Sequence, residues 1–205
     1  MVGVNRVPIV ALASGTGTLL QALLDAAYET DYPADIVALV TDQPRCGAAR
    51  RARGARVPVH IVEPKDFADR TDWDAAITAE VARYSPEWVV SVGFMRILGP
   101  QFLAAFPQKV LNTHPSLLPS FPGARPVADA VDYGVKITGC TVHVIDAGID
   151  SGPVVAQRPL NVEPDDTAES LHDRIKTVER QLVVEVVDRV ASHGLRFDGR
   201  KAIIP

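Results

Sequence analysis

The stretch from Asn112 to Pro119 holds the residue types best suited to chemistry in this chain. It reads N-T-H-P-S-L-L-P and continues the short apolar run 109–111, which predicts a strand that leads into a loop. Because side chains alternate along a strand, Asn112 and His114 are expected to point to the same side. An amide can stabilise a developing oxyanion and an imidazole can move a proton, so this pair indicates chemistry at a carbonyl. The structural alternative is an asparagine that caps a loop and a histidine bonded to backbone.

A glycine-rich turn near the start of the chain is typical of an anion-binding site. An apolar run over 6–13 predicts a buried strand, and the turn Ser14-Gly15-Thr16-Gly17-Thr18 joins it to an apolar helical pattern. Such a turn presents backbone N–H groups and the positive end of a helix dipole to an anion. A dinucleotide fingerprint needs a third glycine where Leu20 stands, and a P-loop motif is absent, so a phosphate monoester is the favoured ligand. A plain tight turn is the structural alternative.

Asp42 keeps a nicotinamide-dependent dehydrogenase open as an alternative function. It directly follows the predicted strand 34–41, where dinucleotide-binding proteins place the acidic residue that binds ribose. A module that binds NAD or a nucleotide sugar would use the same two features, the glycine turn and this carboxylate. The missing third glycine is the observation that counts against this alternative.

The order of the predicted elements indicates an α/β fold. Helices are predicted over 45–54 and over 70–84, the latter capped by Thr71 or Asp72, and strands over 57–62 and 88–92. This alternation predicts right-handed βαβ units and therefore a mostly parallel, Rossmann-like twisted sheet with helices on both faces. Ligands of such sheets bind beyond the carboxyl ends of the strands. The glycine turn, the segment 93–98 and the segment 112–119 are all expected at that edge.

Two further loops have compositions that suit a binding site. Residues 93–98 read G-F-M-R-I-L, which we interpret as a hydrophobic slot for a flat ligand with backbone groups exposed for hydrogen bonding. The alternative for this segment is the start of a helix packed into the core. Residues 146–153 read D-A-G-I-D-S-G-P and predict a sharply shaped acidic loop, for which an ordinary turn is the alternative.

The second half of the chain is expected to add strands over 138–145 and 154–158, with antiparallel additions to the sheet, and a long helix capped by Asp166 or Thr167. The predicted buried stripe of this helix comprises Leu171, Ile175, Val178, Leu182, Val186 and Val190. Lys176 and Glu179 lie on a neighbouring face, where such a pair is usually a solvated contact. The tail 195–205 is expected to add one small strand.

The composition is that of a globular protein with one α/β domain over residues 1–205. Hydrophobic residues make up 47% and charged residues 22% of the 205 positions, and the formal net charge is −4. An acidic balance argues against nonspecific binding to nucleic acid or to a membrane. Cys46 and Cys140 have neither metal-ligand spacing nor a disulfide framework, so we expect a reduced cytoplasmic location and no metal.

Five motifs in sequence resemble the phosphoribosylglycinamide formyltransferases, a family of the formyltransferase superfamily. They are S-G-x-G-(S/T), G-F-M-R-I-L, N-x-H-P-S-L-L-P, P-G and D-x-G-x-D-x-G-P, and the similarity runs from about Val7 to about Val190. The resemblance implies the formyltransferase fold, with a Rossmann-like phosphate-binding half over 6–108 and a catalytic and folate-binding half over 109–205. It implies transfer of a formyl group from 10-formyltetrahydrofolate to the amine of 5-phosphoribosylglycinamide, in purine biosynthesis. The implied partners are these small molecules, with no nucleic acid or membrane; a homodimer stays open.

The resemblance also implies three groups of site residues. The implied catalytic residues are Asn112, His114 and Asp150. The implied folate-binding residues are Arg70, Met95, Arg96, Ile97, Leu98 and Asn112, with the loop Asp146, Ala147, Gly148, Ile149 and Asp150. The implied residues for the phosphoribosyl substrate are Gly17, Thr18, Leu19, Lys176 and Glu179.

The sequence departs from the commoner family pattern at two places. Thr18-Leu19 stands where many members have Ser-Asn, so backbone N–H groups and Lys176 would hold the phosphate. Ala124-Arg125-Pro126 follows Gly123 where many members carry a histidine, and no role is assigned to Arg125.

Two other folate enzymes of the superfamily remain alternatives. Methionyl-tRNA formyltransferase shares the central motif but resembles a longer protein with an RNA-binding domain, for which 205 residues leave no room. Formyltetrahydrofolate deformylase, a hydrolase, tends to show H-H-S-F-L-P where this chain has His114 to Pro119 and has an N-terminal regulatory domain missing here.

Overall fold

A computed structural model describes residues 6–205, so the first five residues of the predicted domain lie outside the described residues. The strands within this range are β1 (Val7–Leu12), β2 (Ala34–Thr41), β3 (Val59–Ile61), β4 (Trp88–Ser91), β5 (Val110–His114), β6 (Ile137–Val144), β7 (Val154–Asn161), β8 (Arg196–Asp198) and β9 (Lys201–Ile203). The α-helices are α1 (Thr18–Tyr28), α2 (Gly47–Gly54), α3 (Arg70–Ala82), α4 (Pro100–Ala105), α5 (Pro126–Tyr133) and α6 (Ala168–His193).

Seven of the strands form a sheet in the order β3-β2-β1-β4-β5-β6-β7. β1 pairs in parallel with β2 and with β4, β2 pairs in parallel with β3, and β7 is antiparallel to β6. The predicted α/β fold with a mostly parallel sheet and a late antiparallel addition is therefore confirmed. Among the helices of residues 6–205, none combines the length and the apolar character that crossing a membrane requires.

The chain divides into two compact units, the first ending at Leu111 and the second covering Asn112–Pro205. In the first unit, β1 is apolar throughout and β4 is apolar up to its last residue, Ser91, as expected of strands covered on both faces; Val10, Leu12 and Val89 have no exposed surface. β2 matches the predicted strand 34–41, and the other strands of this unit agree with prediction within two residues at each end.

Two details of the first unit differ from the prediction. The cap of α3 is Asp69, whose carboxylate accepts a hydrogen bond from the Asp72 N–H, and not Thr71 or Asp72. The segment 93–98 is a loop and not the start of a helix; α4 begins only at Pro100. The Asp74 carboxylate of α3 fixes the point where this loop meets α4. It accepts hydrogen bonds from the backbone N–H groups of Gly99, at 2.7 Å, and of Phe102, at 3.3 Å.

In the second unit, α6 begins after Thr167, whose side chain forms a reciprocal capping box with Ser170. Its buried face includes Glu179 where the prediction had Val178, because the stripe advances by four residues from Ile175 instead of three. The tail forms a two-stranded hairpin of β8 and β9 and not a single strand. Gly199, with φ +57°, allows the tight turn between those strands.

Candidate active site

Strand β5 carries the two residues whose types indicated chemistry at a carbonyl. Both lie on the strand itself, since β5 extends to His114 beyond the predicted apolar run. Asn112 and His114 face a common group of side chains from β6 and from the loop that follows it. Thr113, between them, faces α6 instead, where its hydroxyl acts on the pKa of Glu179. This alternation agrees with the expected shared side of Asn112 and His114.

His114 is buried, with 5% of its surface exposed, and both of its ring nitrogens face protein groups. Nε2 lies 2.8 Å from the carbonyl oxygen of Phe121, and because a carbonyl only accepts, Nε2 carries a proton. Nδ1 lies 3.4 Å from Oδ2 of Asp150. Burial lowers the pKa of His114 below its usual value, although the Phe121 carbonyl and the Asp150 charge act in the opposite direction. Asp150 therefore favours the imidazolium but does not outweigh burial in this state of the protein.

Asp150 is positioned by an unusual backbone conformation. Its φ of +49° lies in the left-handed region, which only a few non-glycine residues adopt, aspartate and asparagine among them. The Gly123 N–H donates to its Oδ2 at 2.8 Å. Burial works against the charged form, but the neighbouring His143 side chain, the hydrogen bond from Gly123 and the nearby His114 together hold the pKa of Asp150 below its usual value. This residue is therefore a carboxylate at neutral pH.

His143 of β6 completes the cluster and was missed by the sequence analysis. Its Nδ1 lies 3.1 Å from the Val144 carbonyl, so Nδ1 donates there and Nε2 of a neutral ring can accept. Nε2 lies 3.1 Å from Nδ2 of Asn112 and 3.6 Å from Oδ1 of Asp150. A histidine inside the alternating strand T-V-H-V, shortly before an acidic loop, was the available signal. The contact fixes the direction of the Asn112 amide, whose second N–H has no partner among residues 6–205.

The remaining residues of the 146–150 loop form its frame and its tip. Oδ1 of Asp146 accepts from the Gly148 N–H at 3.0 Å and from the Ser151 hydroxyl at 2.7 Å, so this carboxylate folds the loop on itself. Ala147, Gly148 and Ile149 are exposed. Of the predicted loop residues, only Asp150 belongs to the cluster with His114.

On α6, Lys176 and Glu179 have very different surroundings. Lys176 is half-buried and pairs with Asp173 at 3.0 Å, whereas Glu179 is 5% exposed and has no salt bridge within the described residues. Burial raises the pKa of Glu179 to about 7, against the opposing effects of the Thr113 hydrogen bond and of the nearby charges of Lys176 and Arg180. The usual interpretation of this pair as a solvated contact is therefore wrong for Glu179.

In the first unit, the predicted folate loop is held by polar contacts. Arg70 donates through Nη2 to the carbonyl of Ile97, and the Met95 N–H donates to the Ser14 hydroxyl at 2.9 Å. Leu98 is buried, whereas Met95 and Ile97 are exposed. Arg96 pairs with Asp42, its Nε lying 2.7 Å from Oδ2. Asp42 is thus occupied inside the protein and is not presented to a nucleotide ribose.

The glycine turn leads into α1 with the geometry expected of an anion site. Gly17 precedes the helix with φ +75°, and no side chain caps the first turn of α1, so the leading N–H groups of Thr18 and Leu19 have no intrahelical acceptor. A Cβ on Gly17 would lie 2.5 Å from Cα of Ala48, so this glycine is also required by packing against α2. Gly17 and Leu19 are buried and Thr18 is half-buried.

Comparison with known proteins places these features in one family. The sequence model described as formyl transferase matches residues 7–187, most of the chain. The chain belongs to the formyl transferase family. Membership accounts for the motif order along the chain, since the matched range includes the glycine turn, β5 and the acidic loop. Among residues 6–205, no group of three or more His, Cys, Asp or Glu side chains is arranged to hold a metal ion.

Relatives within the formyl transferase family are similar over nearly the whole chain. A phosphoribosylglycinamide formyltransferase of Mycobacterium tuberculosis is 55% identical over 194 residues, which cover 95% of this chain and 89% of that protein. One of Bacillus subtilis is 34% identical over 93% of this chain and 96% of its own length. The crystal structure of glycinamide ribonucleotide transformylase 1 from Symbiobacterium toebii is 37% identical with a TM-score of 0.95, covering 98% of this chain and 94% of that one.

The buried carboxyl of Glu179 predicts a specific pH dependence of stability. Its folded pKa of about 7 exceeds the ordinary 4.5, so the unfolded chain loses this proton at lower pH than the folded chain does. Stability should therefore fall as the pH rises between these two values. Glu179→Gln removes the charge and keeps the shape, so we expect it to raise the free energy of unfolding at about pH 8 by roughly 1–3 kcal/mol.

Urea unfolding of both proteins at about pH 4 and pH 8 measures this effect, and the difference should disappear at the lower pH, where both states hold the proton. Glu185→Gln is a matched control, because Glu185 lies on the same helix in an exposed pair with Arg158. A gain that is the same at both pH values would show that burial of the charge is not the cause.

Proposed function

We propose that this chain transfers the formyl group of 10-formyltetrahydrofolate to the amine of 5-phosphoribosylglycinamide, in the de novo synthesis of purines. The observation that carries this proposal is the cluster of an amide, an imidazole and a carboxylate around β5, in a chain of the formyl transferase family. The 55% identity to a relative with this activity in its name supports the choice of acceptor. The products are formylglycinamide ribonucleotide and tetrahydrofolate.

In the proposed reaction, the neutral amine of the acceptor attacks the formyl carbon, and the formyl oxygen becomes negatively charged. The second N–H of Asn112 donates to that oxygen, since His143 takes up the first. His114 can hold the proton that the amine loses until N10 takes it up, because the new negative charge adds to Asp150 in favouring the imidazolium. When the tetrahedral intermediate collapses, the bond from the formyl carbon to N10 of the folate breaks. N10 gains one proton and the amine loses one, so the transfer needs no net acid or base.

Two groups of residues are assigned to the phosphoribosyl substrate in this proposal. The uncapped N–H groups of Gly17, Thr18 and Leu19 would bind the phosphate, because anions are stabilised at a helix N-terminus. On α6, Lys176 would add a positive charge to the phosphate, and Glu179 would accept hydrogen bonds from the ribose hydroxyls. This assignment uses backbone groups where many relatives have an amide side chain.

The formyl folate would be bound mainly through backbone groups. Among the described residues, the N–H groups of Arg96 and Leu98 have no hydrogen-bond partner, whereas the loop around them is held at Met95 and Ile97. A pterin ring presents a row of donors and acceptors that such free backbone groups can match. The 146–150 loop, whose tip is exposed, is the second segment assigned to the folate.

An absorbance assay that follows the loss of 10-formyltetrahydrofolate tests the function directly. We expect the loss to require phosphoribosylglycinamide, and both this acceptor and a folate analogue should raise the melting temperature while NAD should not. Loss of formyl folate without acceptor would identify a hydrolase and contradict the proposed transfer. No loss in either arm, from protein that is folded by circular dichroism, would contradict the whole assignment.

His114, Asn112 and Asp150 are predicted to act as one unit on the formyl oxygen. Asn112→Ala removes a donor aimed at the oxyanion, which is typically worth about 10²–10³ in kcat. His114→Ala removes the group that gains positive charge and should lose at least as much, with KM values nearly unchanged for both variants. Asp150→Asn keeps the left-handed backbone and removes the charge, so the His114 pKa should fall further. Kinetics of the double variant His114→Ala with Asp150→Asn decide the coupling, and we expect a smaller loss than the product of the single losses.

His193→Ala is the control for this series, because His193 is exposed at the end of α6 and should keep full activity. A double-variant loss equal to the product of the two single losses would show that His114 and Asp150 act separately.

Lys176→Gln tests the assignment of the phosphate. Removing the positive charge should raise the KM for phosphoribosylglycinamide by about tenfold or more and leave the KM for formyl folate within about twofold. Arg180→Gln is a matched control, since both cations lower the pKa of Glu179 but only Lys176 is assigned to the phosphate. Steady-state kinetics with each substrate varied measure both effects. If the two variants raise the acceptor KM equally, Lys176 acts through Glu179 and not on the phosphate.

A further inference from the structure

Asp42 has no place in the proposed chemistry, yet its carboxylate is almost fully buried at the carboxyl end of β2. Its side chain is 1% exposed. The Ser14 hydroxyl donates to Oδ1 at 2.5 Å, and Arg96 donates through Nε to Oδ2 at 2.7 Å. The side chain of Gln43 adds a longer contact to Oδ2 at 3.3 Å. Both oxygens are therefore used by protein groups, and the residue must have a function within the protein.

The two main partners of Asp42 lead to the same loop. Ser14 accepts from the Met95 N–H through its hydroxyl, at 2.9 Å, and donates through its own N–H to the Gly93 carbonyl, at 3.0 Å. Arg96 is itself the middle of the loop. Two arms thus run from one carboxylate, the first through Ser14 to the backbone of 93–95 and the second through the guanidinium of Arg96.

Packing of its own side chains does not define this loop. Met95 is 75% exposed and Ile97 59% exposed, so the apolar residues at its centre gain little from burial. Phe94 stacks on Trp73, with ring centroids 6.4 Å apart and planes at 10°. Between Phe94 and the buried Leu98, the loop depends on hydrogen bonds, and the arms from Asp42 hold two of its three intervening residues.

The electrostatics of Asp42 suit such a role. Burial penalises its charge, but the donors Ser14, Arg96 and Gln43 and the positive charge of Arg96 hold the pKa of Asp42 below its usual value. Hydrogen bonds to an ionised carboxylate are about twice as strong as neutral ones. An ionised carboxylate can only accept hydrogen bonds, so Ser14 and Arg96 must both act as donors to it. The carboxylate therefore defines the positions of both donors.

We propose that Asp42 is a positioning residue for the formyl donor: through Ser14 and Arg96 it holds the backbone of the Gly93–Leu98 loop in the conformation that receives the pterin ring. The inference rests on the proposed function, because the loop matters for catalysis only if it binds the folate. It explains why a carboxylate at the position of a ribose-binding acid is turned inward. It also assigns the Arg96 side chain to the protein, while the Arg96 backbone N–H serves the ligand.

Asp42→Asn tests the proposal, because the amide keeps the shape and removes the charge. We expect the KM for formyl folate to rise by about tenfold, which corresponds to ~1.4 kcal/mol, with the acceptor KM and kcat within about twofold.

Variants of the two partners of Asp42 test the same connection. Ser14→Ala and Arg96→Ala should each raise the KM for formyl folate, by no more than about tenfold, and Ser14→Thr, which keeps the hydroxyl, should restore it. Adding Arg96→Ala to Asp42→Asn should cost less than the product of the single effects. Arg83→Ala is the matched control, since its exposed pair with Glu80 is in the same unit.

A second readout needs no substrate. In a Trp88→Phe background, Trp73 is the only tryptophan, and its stacking on Phe94 makes its emission sensitive to the loop. Asp42→Asn should change the emission of Trp73 and clearly reduce the further change that a folate analogue produces at a concentration just saturating for the wild type. If Asp42→Asn does not fold, Ser14→Ala carries the same measurements.

The proposal is overturned if active wild-type protein and Asp42→Asn have the same folate KM and the same Trp73 emission. It is also overturned if Asp42→Asn lowers kcat and raises both KM values alike, since that pattern indicates a general structural role. Failure of the proposed function has a different signature, because wild-type protein would then show no acceptor-dependent loss of formyl folate.

Discussion

A carboxylate that leaves water must find hydrogen-bond donors, and this requirement determines the functional loops of both units. Asp42 finds them in Ser14 and Arg96, and so fixes the loop 93–98. Asp74 accepts three backbone N–H groups at 2.7 to 3.3 Å and holds the end of the same loop. Asp150 accepts from Gly123 and lies between two histidines. In the loop 93–98 the central side chains of Met95 and Ile97 are exposed, so hydrogen bonds to the buried carboxylates do more than apolar packing to define its conformation.

Glu179 shows what happens when a buried carboxyl lacks such compensation. One hydroxyl and two nearby cations do not balance the loss of solvent, and the pKa rises to about 7. The group is then partly protonated at neutral pH and can donate or accept a hydrogen bond. A ribose hydroxyl placed against it would supply the partner that the protein leaves out, and binding would relieve the cost of burial. Buried groups with strongly shifted pKa values collect at functional sites for this reason.

The local pattern of apolar and polar residues was enough to predict those strands and side-chain directions that depend only on neighbouring residues in the sequence. The apolar runs gave strands such as β2, and alternation along β5 put Asn112 and His114 on one side. What could not be predicted depends on register between distant strands. His143 meets Asn112 only because β6 is paired where it is, and a shift by one residue would turn it to the other face. The burial of Glu179 likewise depends on how α6 packs. The spacing of apolar residues along the helix does not decide whether residue 178 or residue 179 faces the core.

The surroundings of His114 suggest how the free protein favours the transition state over the substrate. If burial had left the ring fully charged, the imidazolium would be neutralised in advance by Asp150 and would offer little to a neutral formyl group. Burial instead lowers its pKa, so in the proposed reaction the ring would acquire charge mainly when a negative oxygen forms beside it. Asp150 would keep the free-energy cost of that change small, because its charge opposes the effect of burial on the His114 pKa. An interaction that strengthens only as the oxyanion develops lowers the barrier without tightening substrate binding, which is the condition for raising kcat.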